Sequence, residues 1–176
     1  MKRTIYLVRH CQAAGQPPEA ELTDKGRAQA IELIDFFKDR SVEHIISSPF
    51  LRAIQTGDPL ANSLGMNIEI DGRLAERVLS LADLPDWMKR LEASFEDLEL
   101  KLPGGESGSQ ATERGMAVLE NAPNQTILIT HGNMMGLLLK RIIGNYGFEE
   151  WKQLSNPDVY EVAIEGVNYS ARRLWK

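Results

Sequence analysis

Two histidines and two arginines in this chain stand where they could handle a phosphoryl group. Arg9-His10 ends the mostly apolar run Thr4-Ile5-Tyr6-Leu7-Val8. Arg52 follows Ser47-Ser48-Pro49, just after Ile45-Ile46. His131 ends the run from Gln125 to Thr130 and is followed by Gly132. A neutral imidazole nitrogen can attack phosphorus in line and carry the phosphoryl group covalently. Guanidinium groups are planar forks that stay protonated and match the equatorial phosphoryl oxygens. Together with a second imidazole they can do electrostatically what a metal does elsewhere. A departing alkoxide needs a proton, so one carboxylic acid must join them.

For these groups to meet, three strands must end side by side. The first is the run into Arg9-His10. A loop from Gln12 to Leu22 follows, with Gly15 and Pro17-Pro18, and Thr23 is expected to cap a helix. Ala30, Leu33, Ile34 and Phe37 then recur at helical spacing, which predicts an amphipathic helix to about Arg40. Glu43 to Ser47 reads as a second strand. Pro49 suits the first turn of a helix running to Leu64 and stopping near Gly65. Asn67 to Ile70 is a third strand. An irregular stretch leads to a helix from Asp83 or Pro85 to about Leu100. A turn at Pro103-Gly104-Gly105 precedes a helix from Glu106 to Glu120. Gln125 to Thr130 is a buried strand, and Met134 to Ile143 an apolar helix. Tyr160 to Ile164 and Tyr169 to Leu174 flank Gly166 as a terminal hairpin. Strands alternating with helices predict a three-layer α/β/α sandwich with a largely parallel central sheet, a single domain over residues 1–176. In such sheets ligands bind beyond the carboxyl ends of the strands. Helix N-termini opening there would add free N–H groups and a positive dipole end.

The 176 residues carry a net charge of −5, with 43% apolar and 26% charged residues. That balance argues against nucleic acid as a partner, because backbone binding needs a basic face. One cysteine excludes an internal disulfide. No apolar run reaches the roughly 20 residues of a membrane helix, and no signal peptide precedes the first strand, so a cytoplasmic protein with no membrane partner is expected. No cluster of carboxylates or cysteines suits a metal, and neither metal nor other cofactor is expected. The expected partner is a small phosphorylated substrate; the sequence leaves the oligomeric state open.

The chain resembles the histidine phosphatase superfamily, which includes the cofactor-dependent phosphoglycerate mutases. The resemblance rests on Leu7-Val8-Arg9-His10, Leu22-Thr23-Asp24-Lys25-Gly26, Ser47-Ser48-Pro49-Phe50-Leu51-Arg52-Ala53-Ile54-Gln55-Thr56, Gly104-Gly105-Glu106-Ser107 and Thr130-His131-Gly132, in that order. It implies a phosphoglycerate mutase-like fold and a phosphohistidine intermediate. His10 is then the nucleophile, and Arg9, Arg52 and His131 form the phosphate pocket with Gly132 beside them. The acid of the family lies after the third strand, where Glu76 matches best and Asp71, Glu69 and Asp83 are its neighbours. Gln16 is a candidate substrate contact on a solvated loop, and Glu106 reads as a helix-start acid. His44 reads as structural, and Trp87, Met88 and Leu91 as packing between helix and core, with an overhang of the pocket by this helix as the alternative.

Two departures stand out. Cys11 occupies a position that is usually glycine. A Cβ there is strained if φ is positive; otherwise Cys11 is a small wall of the pocket, with a thiol open to activation by nearby cations. The loop Gln12–Leu22 lacks the polar substrate-contact pattern. The expected activity is metal-independent hydrolysis of phosphomonoesters through His10. A mutase-type phosphotransferase and a non-catalytic phosphate- or phosphopeptide-binding module are the alternatives. Little chain is left to build a closed cover, which favours hydrolysis over a mutase.

Overall fold

Alternation along the first strand sets the layers. Strand β1 (Lys2–Arg9) turns Ile5 and Leu7 into one apolar core and Tyr6 and Val8 into another. Successive side chains of a strand point to opposite faces, so both faces of this one must be covered. The computed structural model describes residues 1–175.

The connection from β1 enters α1 (Asp24–Phe37), where the Thr23 hydroxyl accepts from the Gly26 N–H as N-cap. Strand β2 (His44–Ser47) leads to α2 (Leu51–Leu64), which ends at Gly65 with φ 66°. Strand β3 (Ile68–Ile70) is followed by a 3-10 turn at Gly72–Leu74. Helices α3 (Trp87–Glu96) and α4 (Gly108–Asn121) precede β4 (Thr126–Thr130) and α5 (Gly132–Ile143). A short α6 (Phe148–Lys152) and the hairpin β5 (Asp158–Glu165) and β6 (Asn168–Arg173) close the chain.

The sheet order is β3-β2-β4-β1-β5-β6. Strands β3, β2, β4 and β1 pair in parallel, and β5 is antiparallel to both β1 and β6. Ala30, Leu33 and Phe37 of α1 and Ala53 and Leu60 of α2 cover one face, against Ile45, Ile127 and Ile129. Phe95 of α3, Leu119 of α4 and Met134 and Leu138 of α5 cover the other, against Ile5, Leu7 and Leu128. The expected three-layer sandwich with a mostly parallel sheet is therefore the fold. Among the described residues, no helix is long and apolar enough to cross a membrane.

Several boundaries move. α2 starts at Leu51, past Pro49, and α3 only at Trp87. α4 starts at Gly108 because Ser107, not Glu106, supplies the capping hydroxyl, with Gln110 completing a capping box. α5 starts two residues earlier than its apolar pattern, at Gly132. Helix α6 lacks a sequence signal; it is five residues long with no fully buried side chain.

The chain leaves β1 for α1 on one face, and leaves β4 for α5 on the other. Since β1 and β4 are neighbours, a crevice opens between their carboxyl ends. This is the switch point at which open α/β sheets place their ligands.

Candidate active site

The strand register brings the two histidines together. Arg9 of β1 pairs with Thr130 of β4, so His10 and His131 are the next residues of adjacent parallel strands. The His10 N–H donates to the Thr130 carbonyl at 3.1 Å, and the two imidazole centroids lie 5.1 Å apart. On the other side of β4, Ser47 pairs with Ile129, which sets Ser48 beside His131. The Ser48 hydroxyl lies 2.8 Å from His131 Nε2.

His10 is held in one useful orientation. Its Nδ1 lies 2.7 Å from the Cys11 carbonyl oxygen, an acceptor, so Nδ1 carries the proton. Nε2 is left with a lone pair, and Arg52 Nε donates toward it at 3.3 Å. Asn156 Nδ2 donates to the His10 carbonyl at 3.0 Å and fixes the backbone. Burial, reinforced by the Arg52 and Arg9 charges, pushes the His10 pKa down to about 4, against the pull of the Cys11 carbonyl. At neutral pH the ring is uncharged and nucleophilic. Burial, together with His10, Arg52 and Arg9, likewise holds His131 well below the ordinary histidine range. Its Nδ1 is buried without a partner.

Arg52 is 2% exposed. Its NH1 donates to the carbonyls of Gln16 and Pro17 at 3.0 and 2.9 Å, and its guanidinium lies 5.0 Å from the Phe50 ring centre. Arg9 NH1 donates to Leu154 O at 3.1 Å, while its Nε is buried without a partner. A Cβ on Gly132 would come within 2.8 Å of Arg9 NH2, so the glycine lets the guanidinium lie flat on the opening of α5. Among the described residues, neither Arg9 nor Arg52 has a carboxylate within ion-pair distance. Burial pushes both guanidinium groups below their ordinary values. The buried Arg52 and the partly buried Arg9, neither in direct ion-pair contact with a carboxylate and both close to a helix N-terminus, make an anion site.

Glu76 enters from the opposite wall. Its Oε1 accepts from the Met134 and Arg77 N–H groups at 2.8 Å each, and its Oε2 from the Asn133 N–H at 3.0 Å. The carboxylate therefore sits on the first turn of α5 and lines the same cavity as Arg9 and Gly132. Its rivals lie elsewhere. Asp71 caps the 3-10 turn and pairs with Arg73 at 2.8 Å. Glu69 is exposed on β3, and Asp83 sits exposed at the cavity rim. Gln16 is an exposed residue of that rim, and its carbonyl anchors Arg52.

Three expectations need correction. Cys11 is not a wall of the pocket: it is fully buried in the core with Val8, Leu22 and Ala53. Gln125 is the non-glycine residue with positive φ among those described, so no strain falls on Cys11. Burial also pushes the thiol up to about 12, the reverse of activation. Glu106 is no helix-start acid; it forms a two-pronged pair with Arg114 at 2.7 and 3.0 Å and accepts from the Val78 N–H. Arg114 in turn donates to the carbonyls of Arg73, Ala75 and Glu76, which holds the Glu76 segment in place. Of the three packing residues, Leu91 is core, but Trp87 and Met88 are 48% and 41% exposed, and Trp87 lines the cavity.

Sequence reasoning missed Arg77, Asn133 and Trp151, which line the cavity, and Ser48 and Thr56 as supports. Thr56 accepts from the Cys11 N–H and donates to the Arg52 carbonyl, tying the His10 turn to α2. The signal for Asn133 and Arg77 was position: each directly follows a residue or motif already singled out.

Residues 5–175 match the family model described as histidine phosphatase superfamily (branch 1). The probable phosphoglycerate mutase GpmB of Salmonella choleraesuis (strain SC-B67) is 29% identical over 163 residues, covering 80% of this chain and 74% of that protein. The native mycobacterial glucosyl-3-phosphoglycerate phosphatase superimposes with a TM-score of 0.77 at 21% identity, over 98% of each chain. Phosphoglycerate mutase from Bacillus anthracis str. Sterne gives 0.75 at 14% identity, over 98% of this chain and 92% of that one. At these identities the two structures speak for the fold.

Proposed function

The chain belongs to the histidine phosphatase superfamily, and on that premise we propose that it hydrolyses phosphomonoesters through a phosphohistidine on His10, with no divalent metal. The observation that carries this reading is the His10 ring itself. It is neutral, its proton is parked on Nδ1 against a carbonyl, and Arg52 stands beside the free Nε2.

In the first half-reaction Nε2 attacks phosphorus and the bond from phosphorus to the alcohol oxygen breaks. The departing oxygen takes a proton from the Glu76 carboxyl. Arg9, Arg52 and His131 hold the phosphoryl oxygens, and the Cys11 carbonyl steadies the charge that develops on the His10 ring. In the second half-reaction water attacks phosphorus, the bond from phosphorus to nitrogen breaks, and Glu76 takes the proton of the water. Phosphate leaves and both groups are restored.

Hydrolysis is favoured over mutase chemistry by the outer wall. A mutase must keep water from its phosphohistidine until the product turns round. Here residues 75–86 form neither helix nor strand, and Leu81 is 80% exposed. Water should therefore reach the intermediate. The test supplies 3-phosphoglycerate with catalytic 2,3-bisphosphoglycerate and follows both 2-phosphoglycerate and free phosphate. Interconversion much faster than phosphate release overturns the hydrolase reading while leaving the histidine chemistry intact. A parallel acid quench looks for acid-labile, alkali-stable phosphate on the protein. Its absence in wild type, or normal turnover by His10→Ala, rules out the histidine as carrier, and activity abolished by EDTA and restored by a metal overturns the metal-free reading.

A further inference from the structure

Arg9 is held by a stretch of chain far from it in sequence. Its NH1 donates to the Leu154 carbonyl at 3.1 Å and reaches the Ser155 carbonyl at 3.5 Å. The next residue, Asn156, donates to the His10 carbonyl at 3.0 Å. Residues 154–157 form neither helix nor strand, so no ladder fixes this turn. A guanidinium hung on its carbonyls keeps one direction only if something else does.

That part falls to Asp158, the first residue of β5. Its side chain is fully buried and accepts from four N–H groups. Oδ2 takes the Ser155 N–H at 2.9 Å and Arg173 NH2 at 2.7 Å. Oδ1 takes the Val159 N–H and Arg173 Nε, at 2.9 Å each. Arg173 NH2 also donates to Ser155 Oγ at 3.2 Å, and that hydroxyl donates to the Pro157 carbonyl at 2.6 Å. The turn is thus tied at its backbone and its side chains to one carboxylate and to the β6 arginine that grips it.

A buried ion pair is a poor device for stability alone, since apolar side chains of similar volume often serve as well. Direction is what this one supplies. Asp158 stands opposite Arg9 in the β1–β5 ladder, and directly opposed residues share a face of the sheet. Even so, among the described residues Asp158 forms no ion pair with Arg9; its carboxylate is engaged by Arg173. The Arg9 charge therefore stays available to an anion while the carbonyls that aim it are fixed. Burial lowers the Arg9 pKa, and the charges of Glu76 and Asp158 oppose that.

We propose that Asp158 is a positioning residue of the phosphate pocket: gripped by Arg173, it fixes the 154–157 turn, whose carbonyls direct the Arg9 guanidinium toward the phosphoryl oxygens. For turnover the assignment rests on the hydrolase reading; for phosphate binding it does not.

The test is a double-mutant cycle. Asp158→Asn keeps the shape but turns an NH2 group toward N–H donors, so the turn must shift. It should lower kcat/KM about tenfold or more on both an alkyl phosphate and p-nitrophenyl phosphate, since a small misplacement of a binding group is costly. Competitive inhibition by inorganic phosphate should weaken alongside. In an Arg9→Ala background the same substitution should cost less than about twofold, because the group it positions is gone. Arg173→Gln, at a side chain 34% exposed, should repeat the pattern more weakly and serves if Asp158→Asn does not fold. Equal losses with and without Arg9, or no loss in either variant, overturn the inference and leave the phosphatase standing. If wild type turns over neither ester, the hydrolase reading fails, and calorimetry with inorganic phosphate repeats the cycle. Binding weakened only where Arg9 is present upholds this inference; weakening indifferent to Arg9, or no phosphate binding by wild type, overturns it.

Discussion

The two walls of the cleft are built differently. The strand-end wall carries His10, Ser48, Arg52 and His131, all buried and all placed by the β1, β4 and β2 ladders and the turns that leave them. The opposite wall, from Gly72 to Trp87, has no strand partner. It hangs on the Glu106–Arg114 pair and on a Leu81 N–H to Pro103 O bond, and exposes Leu81 and Trp87. The first wall can hold charge-stabilising groups in position before substrate arrives, which is the condition for electrostatic catalysis. The second can adapt to different alcohols. The chemistry should therefore be common to every substrate, and the selectivity local to the looser wall. Glu76 joins the two: it belongs to the irregular segment but is pinned to the opening of α5.

The largest effects should come from the strand-end wall and fall on all substrates alike. His10→Ala should lower kcat on the order of 10⁵-fold or more, as loss of a covalent nucleophile does. Arg52→Ala should cost about 10²–10³-fold, and Arg52→Lys should restore little, because an ammonium cannot reproduce the fork. Steady-state rates on an alkyl phosphate and on p-nitrophenyl phosphate check both. Losses that differ strongly between the two esters would break the contrast between the walls.

Glu76→Gln sharpens it. Only a poor leaving group needs its proton, so the loss should be about 10²–10⁴-fold on an alkyl phosphate and far smaller on p-nitrophenyl phosphate. Equal losses would move the acid elsewhere on the segment, with Asp83 at the rim as the next residue to test.

The strand-end wall was readable in the sequence because its signal is local. An apolar run that stops at Arg-His, Ser-Ser-Pro or His-Gly names both the strand and the groups at its end. Parallel pairing then brings those groups together, as the Arg9–Thr130 register does. The other wall was not readable, because its contacts join distant, irregular segments. Nothing near Glu106 announces Arg114 as its partner, and nothing near Glu76 announces the N–H groups of Asn133 and Met134. Trp87 could be read two ways for a related reason, and the overhang of the pocket is the one the structure bears out. It continues the helical stripe of Leu91 and Phe95, but as the first residue of α3 it overhangs the cavity while those two are buried.

The strand-end wall should also carry a pH signature. In the unfolded chain His10 takes up a proton near the ordinary value of about 6.5, whereas folded it resists protonation down to about 4. Its folded pKa is depressed, so stability is full above the unfolded value and is lost as pH falls from there toward the folded one. The loss from His10 over that window is about 3 kcal/mol, and His131 acts in the same direction. Urea unfolding of wild type and His10→Gln between pH 7.5 and 4.5 measures it. The variant should lose less on acidification; equal losses would mean that the ring is not buried neutral. Imidazole ¹⁵N spectra at pH 7 should show His10 as the Nδ1–H tautomer.

The smallest effect is expected at Cys11, although it adjoins His10 in sequence. What His10 uses of Cys11 is the backbone carbonyl, which any residue supplies. The thiol faces away into the core and is fully buried. Cys11→Ala should therefore leave kcat within about twofold, well under 1 kcal/mol of barrier, and lower stability by about 1 kcal/mol for the small void it opens. Native protein at pH 7 should be inert to thiol reagents, because burial holds the sulfur protonated up to about 12, and should react only as urea unfolds it. Rapid labelling of the folded protein, or a Cys11→Ala enzyme as damaged as Arg52→Ala, would show that the sulfur belongs to the wall after all. The contrast would then no longer be between a fixed wall and a loose one, since a side chain assigned to the core would be shaping the pocket.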